Sequence, residues 1–155
     1  MRTHKHSPAC ELPEKTKDYT ENYTFVRKDF LPRGYAEGCM VSVYEIPPLK
    51  SAYPYHYHLK NEEVFYIISG EGMLKTPFGE RTVKSGDLLY FPANPDGAHK
   101  LTNTSDTEKL VHIDFGVTHD LDVAVYPDSH KIGVWGKEIN RVYPIDANVG
   151  YYEGE

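Results

Sequence analysis

Two histidines and a glutamate lie close together in the segment from Tyr53 to Gly72, where they could bind a metal ion. His56 and His58 are one residue apart, and Glu63 follows five positions later. Because side chains alternate between the two faces of an extended strand, both imidazoles are expected to point the same way. A short loop over residues 59–62 would let Glu63, at the start of the next strand, reach the same point. Imidazole and carboxylate together suit transition metals such as Zn, Fe, Mn, Ni or Cu. The spacing therefore predicts a site for one divalent transition metal.

Short β-rich runs separated by turn residues must position these side chains. The runs over residues 39–46 and 109–116 are rich in β-branched and aromatic residues, and prolines and glycines separate the runs from one another. The turn-rich segment 92–99 brings His99 to the start of a further run. About eight such strands without helical periodicity predict an all-β sandwich or barrel.

The chain is expected to form one domain with two appendages. Its 155 residues, 39% of them hydrophobic, suit a single core. Residues 1–22 are polar, contain two prolines and are predicted to form an N-terminal arm. The barrel would occupy residues 23–118. Residues 119–155 contain Trp135 and several tyrosines, so they are predicted to form a C-terminal extension that packs on the barrel or on a partner subunit.

Composition argues against several classes of partner. Acidic residues outnumber basic ones by 23 to 17, and the chain has no cluster of lysines and arginines, so nucleic acid is not an expected partner. No apolar run approaches the length of a membrane span, and the N-terminus lacks the apolar segment of a signal peptide. The two cysteines, Cys10 and Cys39, form no metal-binding or redox spacing. These features predict a cytoplasmic protein that does not bind membranes.

Two motifs resemble those of the cupin superfamily. The first is His56-x-His58-x4-Glu63-x6-Gly70, and the second is Gly86-x5-Pro92 followed by His99-x3-Asn103. The resemblance covers approximately residues 39–116. The segment from Pro92 to His99 is two residues longer than the usual second motif, and Pro95-Asp96-Gly97 is interpreted as an inserted turn.

This resemblance implies a double-stranded β-helix, or jelly-roll, barrel and a homodimer. It also implies one divalent metal, held by His56, His58, Glu63 and His99. The small size and the ending of the chain are similar to those of compact bacterial single-domain cupins of uncharacterised activity.

Alternation along the strands predicts what surrounds the metal. Phe65 and Ile67 share the face of Glu63, so both are expected to line a partly apolar substrate pocket. Tyr53, Tyr55 and Tyr57 alternate with the ligand histidines and are expected to face away from the metal.

The strand over residues 109–116 carries apolar residues on one face and polar residues on the other. Val111, Ile113 and Phe115 share a face that is expected to pack in the core. His112 and Asp114 would then lie on the outside or at a subunit interface. The sequence marks no other catalytic acid or base.

The sequence leaves two functions open. Three neutral imidazoles and one carboxylate would leave a net charge of about +1 on a divalent ion and a free coordination position, which favours a small anionic or chelating ligand. This predicts a metal-dependent enzyme, an isomerase, lyase or oxygenase, that acts on a small polar or carboxylate-bearing metabolite. The alternative is a non-catalytic module that binds or senses a small molecule and has a structural or vestigial metal.

Overall fold

The computed structural model of the protein describes residues 3–155, so the first two residues of the predicted arm lie outside the described residues. These residues form thirteen β-strands, and three short 3-10 turns lie at Ala9–Glu11, Pro95–Gly97 and Pro127–Ser129. The strands are β1 (Glu14–Thr20), β2 (Tyr23–Leu31), β3 (Cys39–Ile46), β4 (Tyr57–His58), β5 (Glu63–Ser69), β6 (Glu71–Thr76), β7 (Gly79–Lys84), β8 (Leu88–Phe91), β9 (Lys100–Asn103), β10 (Leu110–Val117), β11 (Leu121–Tyr126), β12 (Lys131–Gly136) and β13 (Asn140–Pro144).

The strands form three antiparallel sheets. The largest has six strands in the order β1-β2-β3-β10-β5-β8, the second has the order β13-β12-β11-β4, and the third has the order β7-β6-β9. The all-β prediction is confirmed. No helix within residues 3–155 is long and apolar enough to cross a membrane.

The hydrophobic core joins the six-stranded sheet to the three-stranded sheet. Phe25, Tyr44 and Ile67 from the first sheet belong to the same buried cluster as Leu74 and Leu101 from the third. Burial of these side chains fixes the faces of β5 and β3, because a shift of one residue in register would turn every inward side chain outward. The chemistry-bearing residues therefore stay on the inner face.

The prediction for β10 is wrong. His112 and Asp114 are buried, each with 3% of its surface exposed, whereas Phe115 is 46% exposed. The polar face of β10 points into the barrel because β10 lies between β3 and β5, and its register with β5 puts Asp114 opposite Phe65. The apolar face points outward.

Both ends of the chain add strands. Within the predicted N-terminal arm, β1 pairs with β2 although every residue of β1 is exposed, which explains why the sequence shows no buried stripe there. Within the predicted C-terminal extension, β11, β12 and β13 form a meander, and β11 pairs with β4 through Ala124 and His58. The division of the chain into arm, barrel and extension remains a prediction.

Candidate metal centre

Three histidine rings converge where β4 approaches the start of β9. His58 ends β4, and His56 lies two residues earlier and forms an isolated antiparallel bridge with His99. Two backbone hydrogen bonds close this bridge, from His56 N to His99 O at 3.1 Å and from His99 N to His56 O at 2.9 Å. The ring centroid of His56 is 5.1 Å from that of His58 and 4.8 Å from that of His99.

Glu63 brings a carboxylate to the same point from the first residue of β5. Its Oε2 is 3.4 Å from His99 Nε2 and 3.7 Å from His58 Nε2. One potential ligand atom from each of His56, His58 and Glu63 lies within 4.8 Å of the others. His99 is outside this mutually close group, although it contacts both Glu63 and His56.

A hydrogen bond at Nδ1 orients each histidine. His56 Nδ1 donates to Pro54 O at 2.8 Å, and His99 Nδ1 donates to Gly97 O at 2.9 Å. His58 Nδ1 bonds to Asp122 Oδ2. Because a carbonyl or carboxylate oxygen only accepts, the proton of each neutral ring lies on Nδ1 and the lone pair lies on Nε2. Metal-binding histidines are commonly oriented in this way.

Burial and neighbouring charges shift the pKa values of these groups. Burial lowers the pKa of His56 to about 4 and the pKa of His99 well below its ordinary value, so both rings are neutral at neutral pH. Burial also lowers the pKa of His58, but the hydrogen bond with Asp122 and the charge of Glu63 outweigh it and raise that pKa overall. Burial raises the pKa of Glu63. A cation at this point would favour the charged carboxylate and the neutral imidazoles.

A buried carboxylate oxygen without a hydrogen-bond partner supports the fit of these residues to a divalent metal. In the described part of the chain, Glu63 Oε2 is buried without a hydrogen-bond partner. A buried acceptor of this kind costs free energy unless something binds it. A divalent ion would be bound by Glu63 and by the Nε2 lone pairs of His56 and His58, with His99 completing the set.

Two adjacent cavities adjoin the candidate ligands, and they share Tyr44, Tyr53, His56, Glu63 and Asp114 as lining residues. The larger cavity, which we call the outer cleft, has a volume of about 280 Å³ and is lined also by Arg27, Arg33, His58, Tyr126 and Trp135. The smaller cavity, which we call the inner pocket, has a volume of about 20 Å³ and is lined also by Phe65, His99 and His112. The candidate ligands thus lie between a cleft of small-molecule size and a much smaller pocket.

The two residues predicted to line the substrate pocket have different positions. Phe65 lines the inner pocket, and its ring centroid is 5.5 Å from that of His99. Ile67 has no exposed surface and belongs to the hydrophobic core.

The prediction that Tyr53 faces away from the metal is wrong. Tyr53 lines both cavities, and its ring centroid is 6.2 Å from that of His56. Strand β4 consists only of Tyr57 and His58, so the alternation assumed for an extended strand does not reach back to Tyr53. Tyr55 instead packs beneath Lys75, whose Nζ is 4.3 Å from the ring centroid.

Two residues of the predicted C-terminal extension reach the site, and no sequence pattern indicated their role. Asp122 on β11 bonds to His58, and the Tyr126 ring stacks on His56 with centroids 5.7 Å apart. Burial raises the pKa of Tyr126 to about 12, so its hydroxyl stays protonated at neutral pH. Alternation along β11 does put Asp122 on the same face as Ala124 and Tyr126, but only the pairing with β4 identifies that face.

The chain matches the family model described as "Cupin domain" over residues 42–116. An uncharacterized protein of Methanocaldococcus jannaschii is 34% identical over 92 residues, which cover 58% of this chain and 71% of the relative.

The solved structures that are similar to this one include two that can be compared by fold and identity. A protein of Silicibacter pomeroyi described as a sugar phosphate isomerase of the cupin superfamily superposes with a TM-score of 0.81 at 17% identity, covering 92% of this chain and 94% of that one. A protein of Acidithiobacillus ferrooxidans, proposed to be a sugar phosphate isomerase, superposes with a TM-score of 0.68 at 27% identity, covering 80% of each chain. The double-stranded β-helix prediction is confirmed, and the chain belongs to the cupin superfamily.

Proposed function

We propose that this protein is a divalent-metal-dependent enzyme that isomerises a small metabolite carrying a carboxylate or phosphate group. One observation carries the proposal. The Nε2 lone pairs of oriented histidines and the unpartnered Oε2 of Glu63 converge at the junction of the two cavities within residues 3–155. Such a site can bind a metal and a substrate atom together.

Two arginines support an anionic substrate. Arg27 and Arg33 line the outer cleft together with His56, His58 and Glu63. The Nε of Arg27 donates to Asp29 Oδ1 at 2.5 Å, and Ser42 donates to the same oxygen at 2.7 Å, so the base of this guanidinium is fixed. Guanidinium groups bind carboxylate and phosphate in a bidentate manner.

The chemistry of the site agrees with isomerisation. A divalent ion held by these ligands would polarise an oxygen of the substrate and stabilise the negative charge that develops on it. Arg27 and Arg33 would bind the anionic end of the substrate and fix its orientation, and the protonated Tyr126 hydroxyl would donate a hydrogen bond in the cleft. We favour isomerisation over lyase or oxygenase chemistry because of the likeness, at 27% identity, to a protein proposed to be a sugar phosphate isomerase.

The first test is elemental analysis of the protein purified without a tag or added metal. The wild type should contain about one transition metal ion per chain, and Glu63→Gln should lose most of it. Glu62→Gln is the matched control, because the neighbouring Glu62 carboxylate accepts from the exposed Tyr90 hydroxyl and should not affect metal content. Wild-type protein without metal, or equal metal in Glu63→Gln, would contradict the proposed site.

The second test separates catalysis from binding alone. Azide should change the absorption spectrum of the cobalt-substituted protein if a coordination position is exchangeable, and a closed structural site should not respond. The metal-loaded protein should then interconvert members of a panel of sugar phosphates and sugar acids, followed by NMR, and a chelator should abolish this turnover. Ligand binding without turnover would instead favour the alternative of a non-catalytic binding module.

A further inference from the structure

Besides Glu63 Oε2, two other residues that line the inner pocket each carry a buried polar atom without a hydrogen-bond partner. Within the described residues, Asp114 Oδ1 and His112 Nδ1 are buried without a hydrogen bond. Each residue is only 3% exposed and the two atoms themselves are buried, so bulk water does not reach them. Native proteins leave few such groups unpaired, because an unmade buried hydrogen bond is costly. Both atoms therefore call for a ligand.

Packing holds both side chains in place around the inner pocket. The His112 ring stacks on Tyr44 with centroids 5.1 Å apart and an interplanar angle of 7°, and it is 4.7 Å from Phe65. Asp114 lies opposite Phe65 in the ladder between β10 and β5, on the same inward face as Glu63. A ligand atom in the inner pocket would therefore meet a prearranged set of polar groups.

The volume of the inner pocket limits what can enter it. About 20 Å³ accommodates one atom of the size of a water oxygen. The pocket is continuous in its lining with the outer cleft, because Tyr44, Tyr53 and Asp114 belong to both. A substrate in the outer cleft would reach the inner pocket past these shared residues with one small polar group.

We propose that the inner pocket binds a hydroxyl group of the substrate through Asp114 and His112, so that the substrate is a hydroxylated anion. The inference rests on the proposed function and deepens it by naming the substrate class. A hydroxyl both donates and accepts, so it can pair with an acceptor and a donor at once. Burial lowers the pKa of His112 to about 3, which keeps its ring neutral and able to take either role.

The test compares hydroxylated ligands with matched ligands that lack the hydroxyls. One pair is L-tartrate and succinate, and the other is glycerol 3-phosphate and n-propyl phosphate. Calorimetric titration of the metal-loaded wild type should show tighter binding of the hydroxylated member, by about tenfold for one net hydrogen bond to a charged or buried group. The pair that binds more tightly also tells whether the anionic group is a carboxylate or a phosphate.

Two variants isolate the inner pocket. Asp114→Leu has a similar shape without polar atoms, and His112→Phe keeps a ring that can stack on Tyr44. In each, the preference for the hydroxylated ligand should fall by about tenfold relative to the wild type, while metal content and binding of the deoxy ligand stay the same. Any preference due to chelation by the metal persists in both variants and cancels in this comparison.

Glu45→Gln is the control for removal of a carboxylate. Glu45 lies on the neighbouring strand β3, where it pairs with Lys28 and Lys109, and this change should leave the preference intact. An unchanged preference in both pocket variants, or no preference in the wild type, would overturn the inference. Loss of metal from Asp114→Leu would also overturn it, because Asp114 would then be a metal ligand. Absence of metal from the wild type would instead contradict the proposed function.

Discussion

The orientation of His58 depends on a carboxylate that is far away in the sequence. Asp122 Oδ2 accepts from His58 Nδ1, while Asp122 Oδ1 accepts from the backbone N–H groups of Lys60 at 2.9 Å and Asn61 at 3.3 Å. Burial raises the pKa of Asp122, but these hydrogen bonds and the charge of His58 lower it by more. The pKa is therefore lowered overall, and the group is ionised in the folded protein. Asp122 thus holds both His58 and the loop that follows it.

We predict that Asp122→Asn weakens metal binding by about 10- to 100-fold, the usual effect of changing a residue that orients a ligand histidine. Asparagine has the same size but is neutral, so it stabilises the His58 orientation less well. The measurement is competition with a chelator of known affinity. Asp128→Asn is the control, because Asp128 lies in the same extension but forms an exposed ion pair with Lys75 at 2.7 Å. Equal affinity in Asp122→Asn would show that the loop alone positions His58.

The turn before His99 has a specific steric requirement. The 3-10 turn Pro95–Gly97 is closed by Asn94, whose side chain accepts from Asp96 N at 2.8 Å. A Cβ atom on Gly97 would lie 2.0 Å from Pro92 O, so any other residue must displace the backbone. The Gly97 carbonyl is also the acceptor for His99 Nδ1. The inserted turn thus needs glycine at position 97 to fit against Pro92, and its Gly97 carbonyl orients His99.

We predict that Gly97→Ala lowers metal affinity by about tenfold or more, because the displaced Gly97 carbonyl no longer orients His99. It should also lower the free energy of unfolding by about 1–3 kcal/mol, as overpacking in a tight site does. Chelator competition and urea unfolding measure the two effects. Gly38→Ala should change neither, since a Cβ atom there would meet nothing within 4 Å. Reduced stability with unchanged metal affinity would show that Gly97 matters for folding alone.

The sequence predicted the elements whose inward faces follow from local patterns. The paired histidines, the start of β5 at Glu63 and the arrival of His99 after a turn all depend on spacing within a few residues. It failed for β10. The rule that the apolar side of a strand faces the core put His112 and Asp114 outside, whereas the pairing of β10 between β3 and β5 turns both inward. It also failed for Asp122, whose partner is 64 residues away. Both failures concern contacts that only the sheet pairing determines.

The part of the outer face of the six-stranded sheet that β5, β8 and β10 form is apolar. Tyr66, Leu88, Tyr90 and Phe115 are 39%, 72%, 58% and 46% exposed, respectively. In the ladder between β5 and β8, Tyr66 pairs with Leu88 and Val64 pairs with Tyr90. In the ladder between β5 and β10, Val64 also pairs with Phe115, so these side chains form one continuous surface. Strand β8 is also the edge of its sheet. An apolar surface beside an open edge is typical of a site of association.

We predict that a second copy of the chain covers this surface, which agrees with the homodimer implied by the cupin resemblance. Sedimentation velocity at micromolar concentration should show a dimer for the wild type and a monomer for Phe115→Glu, because a charge would be buried without a partner. Metal content should not change, since Phe115 lies on the outward face of β10, away from Glu63 on β5. Phe78→Glu is the control, as Phe78 is 78% exposed in the turn between β6 and β7. A monomeric wild type, or a dimeric Phe115→Glu, would mean that the outward apolar face of β10 serves another purpose.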